Sequence, residues 1–536
     1  SWIADRDRFS YLGLNHAERL LKPMVKRDGQ WQEVDWNSAL AFAAEGLKAV
    51  LSQHGASQLG ALAAYGATTE EHYLLQKVLR GLGCHNVDHR LRQIDFRDDA
   101  ATPAFPALGH TLPELETRDA VLLIGSNVRK EQPLIAHRLR KASLKGAQMM
   151  AINALDYEFT FPLAAKSIAT PAGMVHALAG VVKALASIKG TAVPVSVAAL
   201  VNGVAVDATQ QQMAQLLAGA KAPSLLLGNG AIAHPYLAEL RALAAAICVM
   251  SGARLGVLAE GGNSAGAWLA GMVPNRLPGN TGNVNGTHWH GMCANGVKGL
   301  VLLGVEPEFD AIDAQCAANG VRKADFVVAL TPYATAAMRD SADVLLPIAL
   351  FPETSGTYVN VEGSWQSVPG VVTPPGDARP AWKVLRVFGN MLDLNGFEYM
   401  TSEEVRDELR ALCAGVTAAS TGYTAASNLA LPQLTSELTR VSDFPIYSVD
   451  PLVRRSAPLQ QTRDAQLGGV RGSAATLAAL GLRDDAEAVV SQGSGEIRLK
   501  VSADERVVTG CLYVPCGGTD GVCLGAGFGP LTVRPA

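Results

Sequence analysis

The sequence predicts an α/β protein in which parallel β-sheets are flanked by helices and followed by a small β-rich domain. Short runs of Val, Leu, Ile and Ala end at glycine and then change to helical periodicity, and this unit recurs through residues 59–330. In residues 449–536 helical periodicity gives way to several short strand-like segments. Alternating strands and helices are typical of parallel sheets, and closely spaced short strands favour a small barrel.

The first helix is predicted over residues 38–51, with Asp35 or Asn37 as its N-cap. Strand–glycine–helix units follow in chain order: strand 59–65 with helix 69–82, strand 120–124 with helix 133–144, strand 224–227 with a helix to 247, strand 300–303 with helix 310–319, and strand 325–330.

The remaining elements are less regular. Residues 347–375 are rich in Thr, Ser, Gly, Val and Pro and predict a long loop, and residues 400–440 predict a helix and a linker. In the C-terminal domain the predicted strands are 487–490, 496–501, 511–514 and 531–533.

Composition excludes several classes of protein. Among 536 residues, 48% are apolar and 18% are charged, which excludes a disordered chain. The net charge of −4 gives no electrostatic reason to expect nucleic-acid binding. The longest suspicious uncharged run, 190–206, contains Pro194 and is shorter than the ~20 apolar residues of a membrane span, so we predict a loop, strand and turn there.

The cysteines and the N terminus carry further expectations. Eight cysteines without a CxxC pair do not suit a disulfide scaffold and favour a reducing compartment. The sequence begins at Ser1 with no basic and apolar signal segment, so we expect a piece that lacks its natural start.

Two short motifs invite a catalytic interpretation that their surroundings do not support. Residues 228–233 (GNGAIA) match a dinucleotide-binding turn, but residues 248–251 lack the acidic residue expected to hold a ribose, which favours a tight strand–helix turn. Ser264 lies in a G-x-S-x-G pattern, but no carboxylate lies between it and the later His288 and His290, so no hydrolase triad is predicted.

Two groups of possible metal ligands are also incomplete. His288, His290 and Cys293 offer three zinc ligands where a structural site needs four, and a Gly/Asn-rich surface loop is the preferred interpretation. Cys511, Cys516 and Cys523 do not have iron–sulfur spacing and are predicted to be small buried side chains.

Several segments, taken in order, resemble the molybdopterin oxidoreductase superfamily. Within it they are similar to the large iron–sulfur subunit of bacterial NADH:quinone oxidoreductase, respiratory complex I. The matching segments are 19–26 (RLLKPMVK), 31–36 (WQEVDW), 71–77 (EHYLLQK), 86–88 (NVD), 121–127 (VLLIGSN), 133 with 138–142, 263–268 (NSAGAW), 342–347 (ADVLLP), Glu353 with 356–363 (GTYVNVEG), and 450–456 (DPLVRRS) with 459–460.

The resemblance implies a fold like that of formate dehydrogenase and DMSO reductase, with two interleaved Rossmann-like domains and a small C-terminal β-barrel. The implied division is as follows: 1–36 and 346–375 form a remnant of a cluster-adjacent domain; 37–100, 246–345 and 376–400 form the first α/β domain; 101–245 the second; 401–445 a helical linker; and 446–536 the barrel.

The resemblance also places the metal-ligand position of active members on Ile94, in the segment that follows Asn86. Isoleucine has no lone pair to donate, so a metal bond cannot form there. If the alignment slips by one residue, Asp95 takes the position, although Arg90 and Arg92 nearby favour an ion pair for it. We therefore expect no metal site and no catalytic residue in this chain.

In active relatives, glycine loops hold two pterin nucleotides across a cleft. The corresponding residues here predict a retained cleft that binds no cofactor, with Glu306 adding negative charge near the expected phosphates. The residues of this vestigial cleft are Gly125, Asn127, Gly228, Gly230, Gly304, Glu306 and Asn360.

The resemblance implies a structural role in a subunit whose missing N-terminal region carries the [2Fe–2S] and [4Fe–4S] clusters that pass electrons from NADH toward quinone. Its partners are expected to be the NADH-binding and iron–sulfur subunits of the peripheral arm, on the cytoplasmic side of the bacterial inner membrane, with no membrane insertion and no nucleic acid. The alternatives are an active molybdenum or tungsten bis-pterin oxidoreductase of the formate dehydrogenase type, and a separate nucleotide-binding α/β protein.

Overall fold

The computed structural model describes residues 3–417, 426 and 429–536. Within these residues the strands form two largely parallel sheets, one hairpin and a mixed C-terminal sheet. The strands are β1 (Met24–Arg27), β2 (Gln30–Glu33), β3 (Leu59–Ala63), β4 (Val87–Asp88), β5 (Ala120–Ile124), β6 (Gln148–Asn153), β7 (Ala165–Ile168), β8 (Pro223–Leu227), β9 (Arg254–Val257), β10 (Gly299–Leu303), β11 (Phe326–Thr331), β12 (Val344–Pro347), β13 (Gly356–Val359), β14 (Trp365–Val368), β15 (Thr439–Val441), β16 (Val470–Gly472), β17 (Glu487–Gln492), β18 (Gly495–Ala503), β19 (Cys511–Tyr513), β20 (Gly529–Pro530) and β21 (Thr532–Pro535).

The helices of the described residues lie mainly between the strands of the first two sheets. They are α1 (Asp5–Phe9), α2 (Trp36–His54), α3 (Thr69–Gly81), α4 (Val128–Glu131), α5 (Pro133–Leu144), α6 (Pro171–Lys189), α7 (Ala198–Val201), α8 (Ala208–Gly219), α9 (Asn229–Ile232), α10 (Leu237–Ser251), α11 (Ser264–Leu269), α12 (Trp289–Asn295), α13 (Pro307–Asp310), α14 (Ala314–Lys323), α15 (Ala336–Ser341), α16 (Ala381–Met391), α17 (Ser402–Leu412), α18 (Pro451–Arg454), α19 (Ala457–Gln460) and α20 (Ala474–Ala479).

The first sheet has seven strands in the order β2-β1-β12-β11-β10-β3-β4. From β12 to β4 all neighbours are parallel, whereas the β1–β2 hairpin joins the edge antiparallel to β12. Strands β3 and β10 are buried along their whole length, as expected where helices cover both faces of a parallel sheet.

The second sheet has five parallel strands in the order β7-β6-β5-β8-β9. Helix α6 packs against α8 and α10 in its core. By length and composition α6 is apolar enough to cross a membrane, but 67% of its most apolar stretch is buried, as in the core helix of an α/β domain.

The third sheet confirms the predicted small C-terminal β domain. Its seven strands run in the order β20-β15-β19-β16-β18-β17-β21 and form a nearly closed, barrel-like layer around an apolar core. The pairing is mixed, because β15 with β19 and β16 with β18 are parallel while the other pairs are antiparallel.

Several local predictions were wrong. The 190–206 segment holds a 3₁₀ turn and the short helix α7, without the predicted strand, and the loop predicted for 347–375 contains the β13–β14 hairpin. The segment predicted as a Gly/Asn-rich surface loop around His290 is helix α12. Each of these segments is short, so its tertiary contacts determine its conformation more than its composition does.

The predicted boundaries also differ from the strand pairing. Strand β9 belongs to the second sheet, although residues 246–345 were assigned to the first domain. Strands β1 and β2, assigned to a separate remnant, extend the first sheet, and β15 lies inside the predicted 401–445 linker but pairs within the barrel. Part of that linker, 418–425 with 427 and 428, lies outside the described residues.

The N-cap of α2 is resolved in favour of Asp35. Its Oδ1 accepts hydrogen bonds from the backbone N–H groups of Asn37 (2.9 Å) and Ser38 (3.1 Å).

We expect Asp35→Ala to lower the thermal unfolding temperature, because α2 loses the acceptor for two free N–H groups, whereas Asn37→Ala should leave the unfolding temperature unchanged. Equal losses in the two variants, measured by circular dichroism, would contradict this assignment.

Candidate functional site

A cavity of about 1400 Å³ lies where the carboxyl ends of strands from both parallel sheets meet the C-terminal domain. The loops after β3, β10, β5, β8 and β9 all contribute lining residues. In α/β proteins ligands bind at this end of the sheet, and the cavity exceeds the ~300–1,000 Å³ of most small-molecule sites. The predicted cleft is therefore present.

The glycine loops after β5 and β8 of the second sheet pack on each other beside this cavity. A Cβ atom on Gly228 would lie 2.5 Å from the carbonyl oxygen of Gly125, and one on Gly230 would lie 3.0 Å from it. Gly125 itself has a φ of 57°, which favours glycine. Close contact between the two loops thus explains these glycines.

The structure separates the predicted cleft residues into two groups. Asn127, Gly230, Gly304 and Asn360 line the cavity, whereas Gly125, Gly228 and Glu306 are not among its lining residues. The helix inside the GNGAIA segment, α9, has only four residues, and the longer helix α10 begins at Leu237. A single helical turn offers a weak dipole, which does not support dinucleotide binding at this turn.

The sequence predicted that Glu306 adds negative charge to the cavity. The structure shows instead that its carboxylate is paired with two arginines. The side chain is buried (1% exposed) and makes ion pairs with Arg454 (2.8 Å) and Arg455 (2.6 Å). Arg454 also pairs with Asp310 at 2.9 Å. Burial alone would raise the pKa of the Glu306 carboxyl, but the attraction of the two arginines outweighs it and the pKa is lowered.

Arg92 lies on the cavity wall and is held by protein groups on every side. Its guanidinium pairs with Glu260 and donates to the carbonyl oxygen of Val449. It also lies over the ring of Phe444, 3.8 Å from the ring centroid, and 4.9 Å from that of Tyr65. These contacts use the face and the edge of the guanidinium that an anionic ligand would need.

The two candidates for the metal-ligand position lie away from the cavity. Ile94 is packed, partly buried, against an apolar cluster. Both carboxylate oxygens of Asp95 are engaged, since Oδ1 and Oδ2 accept from Arg97 and Oδ2 also accepts the Ala238 N–H at 3.0 Å. Arg97 in turn pairs with Glu239, so Asp95 anchors the start of α10 in an ion-pair network.

Five carboxyl groups that line the cavity carry raised pKa values, because burial disfavours their charged form: Glu71, Glu131, Glu260, Asp310 and Asp443. The pKa of Glu71 is raised to about 7 and that of Glu131 to about 8. Asp443 also has a raised pKa, although the hydroxyls of Tyr157 (3.0 Å) and Tyr513 (2.8 Å) donate to it. Glu131 is therefore largely protonated at neutral pH, and the pKa of Glu71 lies close to neutral pH.

The sequence profile described as "Molybdopterin oxidoreductase" matches residues 19–391, which is more than half of the chain. This chain belongs to the molybdopterin oxidoreductase family.

Relatives within this family include two subunits of known name. The alpha subunit of the F420-dependent formate dehydrogenase of Methanocaldococcus jannaschii is 24% identical over 76% of this chain and 67% of its own length. The alpha subunit of the NADPH-Fe(3+) oxidoreductase of Geobacter sulfurreducens is 25% identical over 80% of this chain and 55% of its own length. The chain thus spans about half to two thirds of these relatives.

A solved structure supports the fold over nearly the whole chain. Acetylene hydratase from Pelobacter acetylenicus superposes with a TM-score of 0.69 at 14% identity, covering 98% of this chain and 93% of the other. The predicted molybdopterin oxidoreductase-like fold is therefore confirmed. The two relatives and this structure support the family and do not support the finer assignment to complex I.

The family name implies a pterin cofactor, so the charged side chains of the cavity are relevant to whether this chain binds one. Eleven Asp and Glu side chains line the cavity against seven Arg and Lys side chains. Six of those seven cations already pair with carboxylates: Arg6 with Asp7, Arg92 with Glu260, Arg129 with Glu158, Lys130 with Asp464, and Arg471 and Arg506 with Asp504. Most of the basic side chains that line the cavity are therefore already paired with a carboxylate of the protein.

The remaining motifs from the sequence have structural explanations. Ser264 begins α11 and its Oγ donates to the carbonyl oxygen of Glu260. Cys511 and Cys516 are buried as predicted, whereas Cys523 is exposed. All eight cysteines are free.

Sequence reasoning missed several charged residues in and beside this cavity. Arg454 and Arg455 were noted only as part of a family-like segment, and Asp443 and Glu131 were not noted at all. The carboxylate partners of Arg454 lie more than 140 residues away in the sequence. An ion pair between such distant residues leaves no local pattern in the sequence.

The Glu306 cluster generates a stability prediction. We expect Glu306→Gln to lower the unfolding free energy by about 3 kcal/mol, since two buried arginines lose their charged partner. The matched control is Glu496→Gln, whose exposed pair with Arg534 should contribute little.

Thermal unfolding of the two variants measures this effect. The pKa of Glu306 is lowered in the folded state, so the difference between wild type and Glu306→Gln should be full at neutral pH and shrink as the pH falls below about 4.5. Equal unfolding temperatures at pH 7 would show that the arginines do not depend on this carboxylate.

Glu131 generates a prediction with the opposite sign. Its folded pKa of about 8 lies above the ordinary 4.5, so its contribution to stability is present at low pH and is lost as the pH rises through 8. The unfolding temperature of Glu131→Gln should match wild type near pH 5 and exceed it by about 1–4 °C at pH 9. If the unfolding temperature of Glu131→Gln exceeds that of wild type by the same amount at both pH values, the raised pKa of Glu131 is refuted.

Proposed function

We propose that this chain is a structural, cofactor-free body within a larger oxidoreductase assembly of the molybdopterin oxidoreductase family. The single observation that carries the proposal is the charge pairing of the cavity, in which six of seven lining cations are already neutralised by carboxylates of the protein. The role of such a body is to hold neighbouring electron-transfer domains in place.

The positions of Ile94 and Asp95 support the same proposal. A metal bound by two pterins in this family takes a further ligand from the protein segment after Asn86, and neither residue lies on the cavity wall. With the hydrocarbon side chain in an apolar cluster and the carboxylate in an ion-pair network, no lone pair at these two positions is free for a metal.

The finer proposal, a subunit of complex I that carries electrons from NADH toward quinone, rests on sequence resemblance. Residues 450–456 carry part of that resemblance, and their arginines hold the loop after β10 through Glu306. This contact supports a structural importance for the segment. The clusters, the partner subunits and a location on the cytoplasmic side of the membrane belong to this proposal alone.

An active molybdenum or tungsten oxidoreductase of the formate dehydrogenase type is the second candidate. The sequence relatives favour it over the complex I assignment, since one of them is a formate dehydrogenase subunit that aligns over 76% of this chain. The large cavity at the carboxyl ends of the strands also lies where a cofactor of this family belongs.

Metal and pterin analysis distinguishes the two candidates. The chain is purified from a host that makes the pterin cofactor, beside a formate dehydrogenase prepared in the same way to show that the host loads it. We expect molybdenum and tungsten far below one atom per chain and no pterin fluorescence after oxidation. Stoichiometric metal with pterin, together with formate-dependent reduction of a dye, would replace our proposal by the second candidate.

A further inference from the structure

A cluster of three different metal-ligating side chains lies outside the cavity, where the first sheet meets the C-terminal domain. Ligand atoms of His290, Asp313 and Cys316 all lie within 4.8 Å of one another. Nε2 of His290 lies 3.5 Å from Oδ2 of Asp313. Their side chains are 31% and 15% exposed, so the cluster is partly buried but open to solvent.

The fold brings these residues together from two helices that pack on each other. His290 lies in the first turn of α12, and Asp313 and Cys316 lie at the start of α14. Oδ1 of Asp313 accepts the backbone N–H of Cys316 at 2.9 Å, which fixes the carboxylate. Oδ2 is thereby turned toward His290, and α14 favours negative charge in its first turn.

We propose that His290, Asp313 and Cys316 form a site for a divalent transition metal of the zinc type. An imidazole nitrogen, a carboxylate oxygen and a thiolate sulfur are the three ligand types that proteins use for zinc. The carboxylate and the thiolate neutralise the two charges of the ion. With three protein ligands, the fourth position is open to water or to a small ligand.

Metal binding requires these three side chains in their deprotonated forms, so binding of the ion releases protons to solvent.

The cluster differs from the zinc ligands that the sequence offered. Cys293 is 2% exposed and packs against Gly320, so its sulfur faces the helix contact. His288 accepts the Gly291 N–H through Nδ1 at 3.2 Å and stacks on Phe96 with ring centroids 4.0 Å apart. Of the two histidines and the cysteine, only His290 belongs to the proposed site.

The position of the site suggests that the metal stabilises a junction between domains. The neighbouring Gln315 N–H donates to the carbonyl of Leu524 (3.3 Å), and the Gly527 N–H donates to the carbonyl of Ile312 (2.9 Å). Both hydrogen bonds join the segment that carries Asp313 to the C-terminal domain. The proposal is independent of the cavity and of whether the chain binds a pterin.

Co²⁺ is the probe for two reasons. A cobalt–thiolate bond gives a charge-transfer absorption band, and the visible absorption bands of the Co²⁺ ion report whether it has four ligands. The full chain is reduced, stripped of metal and titrated with Co²⁺, and then with Zn²⁺ in competition. We expect one Co²⁺ per chain with a thiolate band that Zn²⁺ removes. Cys316→Ser should abolish the band and weaken Zn²⁺ binding at least ~100-fold, since even loss of a hydrogen-bond partner of a ligand costs about 10–100-fold.

The matched control is Cys523→Ser, because Cys523 is exposed and lies outside the cluster. It should keep both the band and the affinity. Asp313→Asn provides a second variant, since its amide oxygen can still cap α14, and it should weaken Zn²⁺ binding while the apo protein keeps its unfolding temperature. The proposal is overturned if wild type shows no thiolate band, or if the band survives Cys316→Ser or disappears in Cys523→Ser.

Discussion

Charge neutralisation within the protein is the constraint on which the cleft depends. An unpaired ion buried between the two parallel sheets and the C-terminal domain lowers the stability of the fold by several kcal/mol. Each buried cation therefore needs a carboxylate close by. Glu306 meets this need for Arg454 and Arg455, and Glu260 meets it for Arg92. These pairs connect the loop after β10, the loop after β9 and the segment that leads into the C-terminal domain. The same contacts that hold the layers together occupy the donors that a ligand would use.

The fold of this chain is that of its family. The chain has the sheets, the loop positions and the large cavity of a molybdopterin oxidoreductase, and its relatives include a formate dehydrogenase subunit. Fold alone does not establish activity, because activity depends on the side chains that reach the site. Here eleven carboxyl and seven basic side chains line the cavity, six of the basic side chains are paired with carboxylates, and Glu131 is protonated near neutral pH. The proposed metal cluster places possible chemistry elsewhere, at the junction of α12 and α14 with the C-terminal domain.

The sequence by itself determined the fold class and most elements of the two parallel sheets. Strands such as β5 and β10 are continuous apolar runs ended by glycine, and both the run and the glycine are local signals. The family followed from segments that keep their order along the chain. Asp35 was one of two N-cap candidates because capping needs only a nearby side chain, and the hydrogen bonds then distinguished it from Asn37.

Only the tertiary structure decided the site. Glu306 was predicted as an unfavourable charge, and its partners lie almost 150 residues away along the chain. The glycines of the second sheet were predicted to belong to a retained cleft that binds no cofactor, and the structure shows that they allow two loops to pack on each other. His290 was grouped with Cys293 because they are neighbours in sequence, whereas the fold pairs it with Asp313 and Cys316. Local patterns follow from the backbone periods of helices and strands, but charge pairs and ligand sets depend on distances in space that no short stretch of sequence contains.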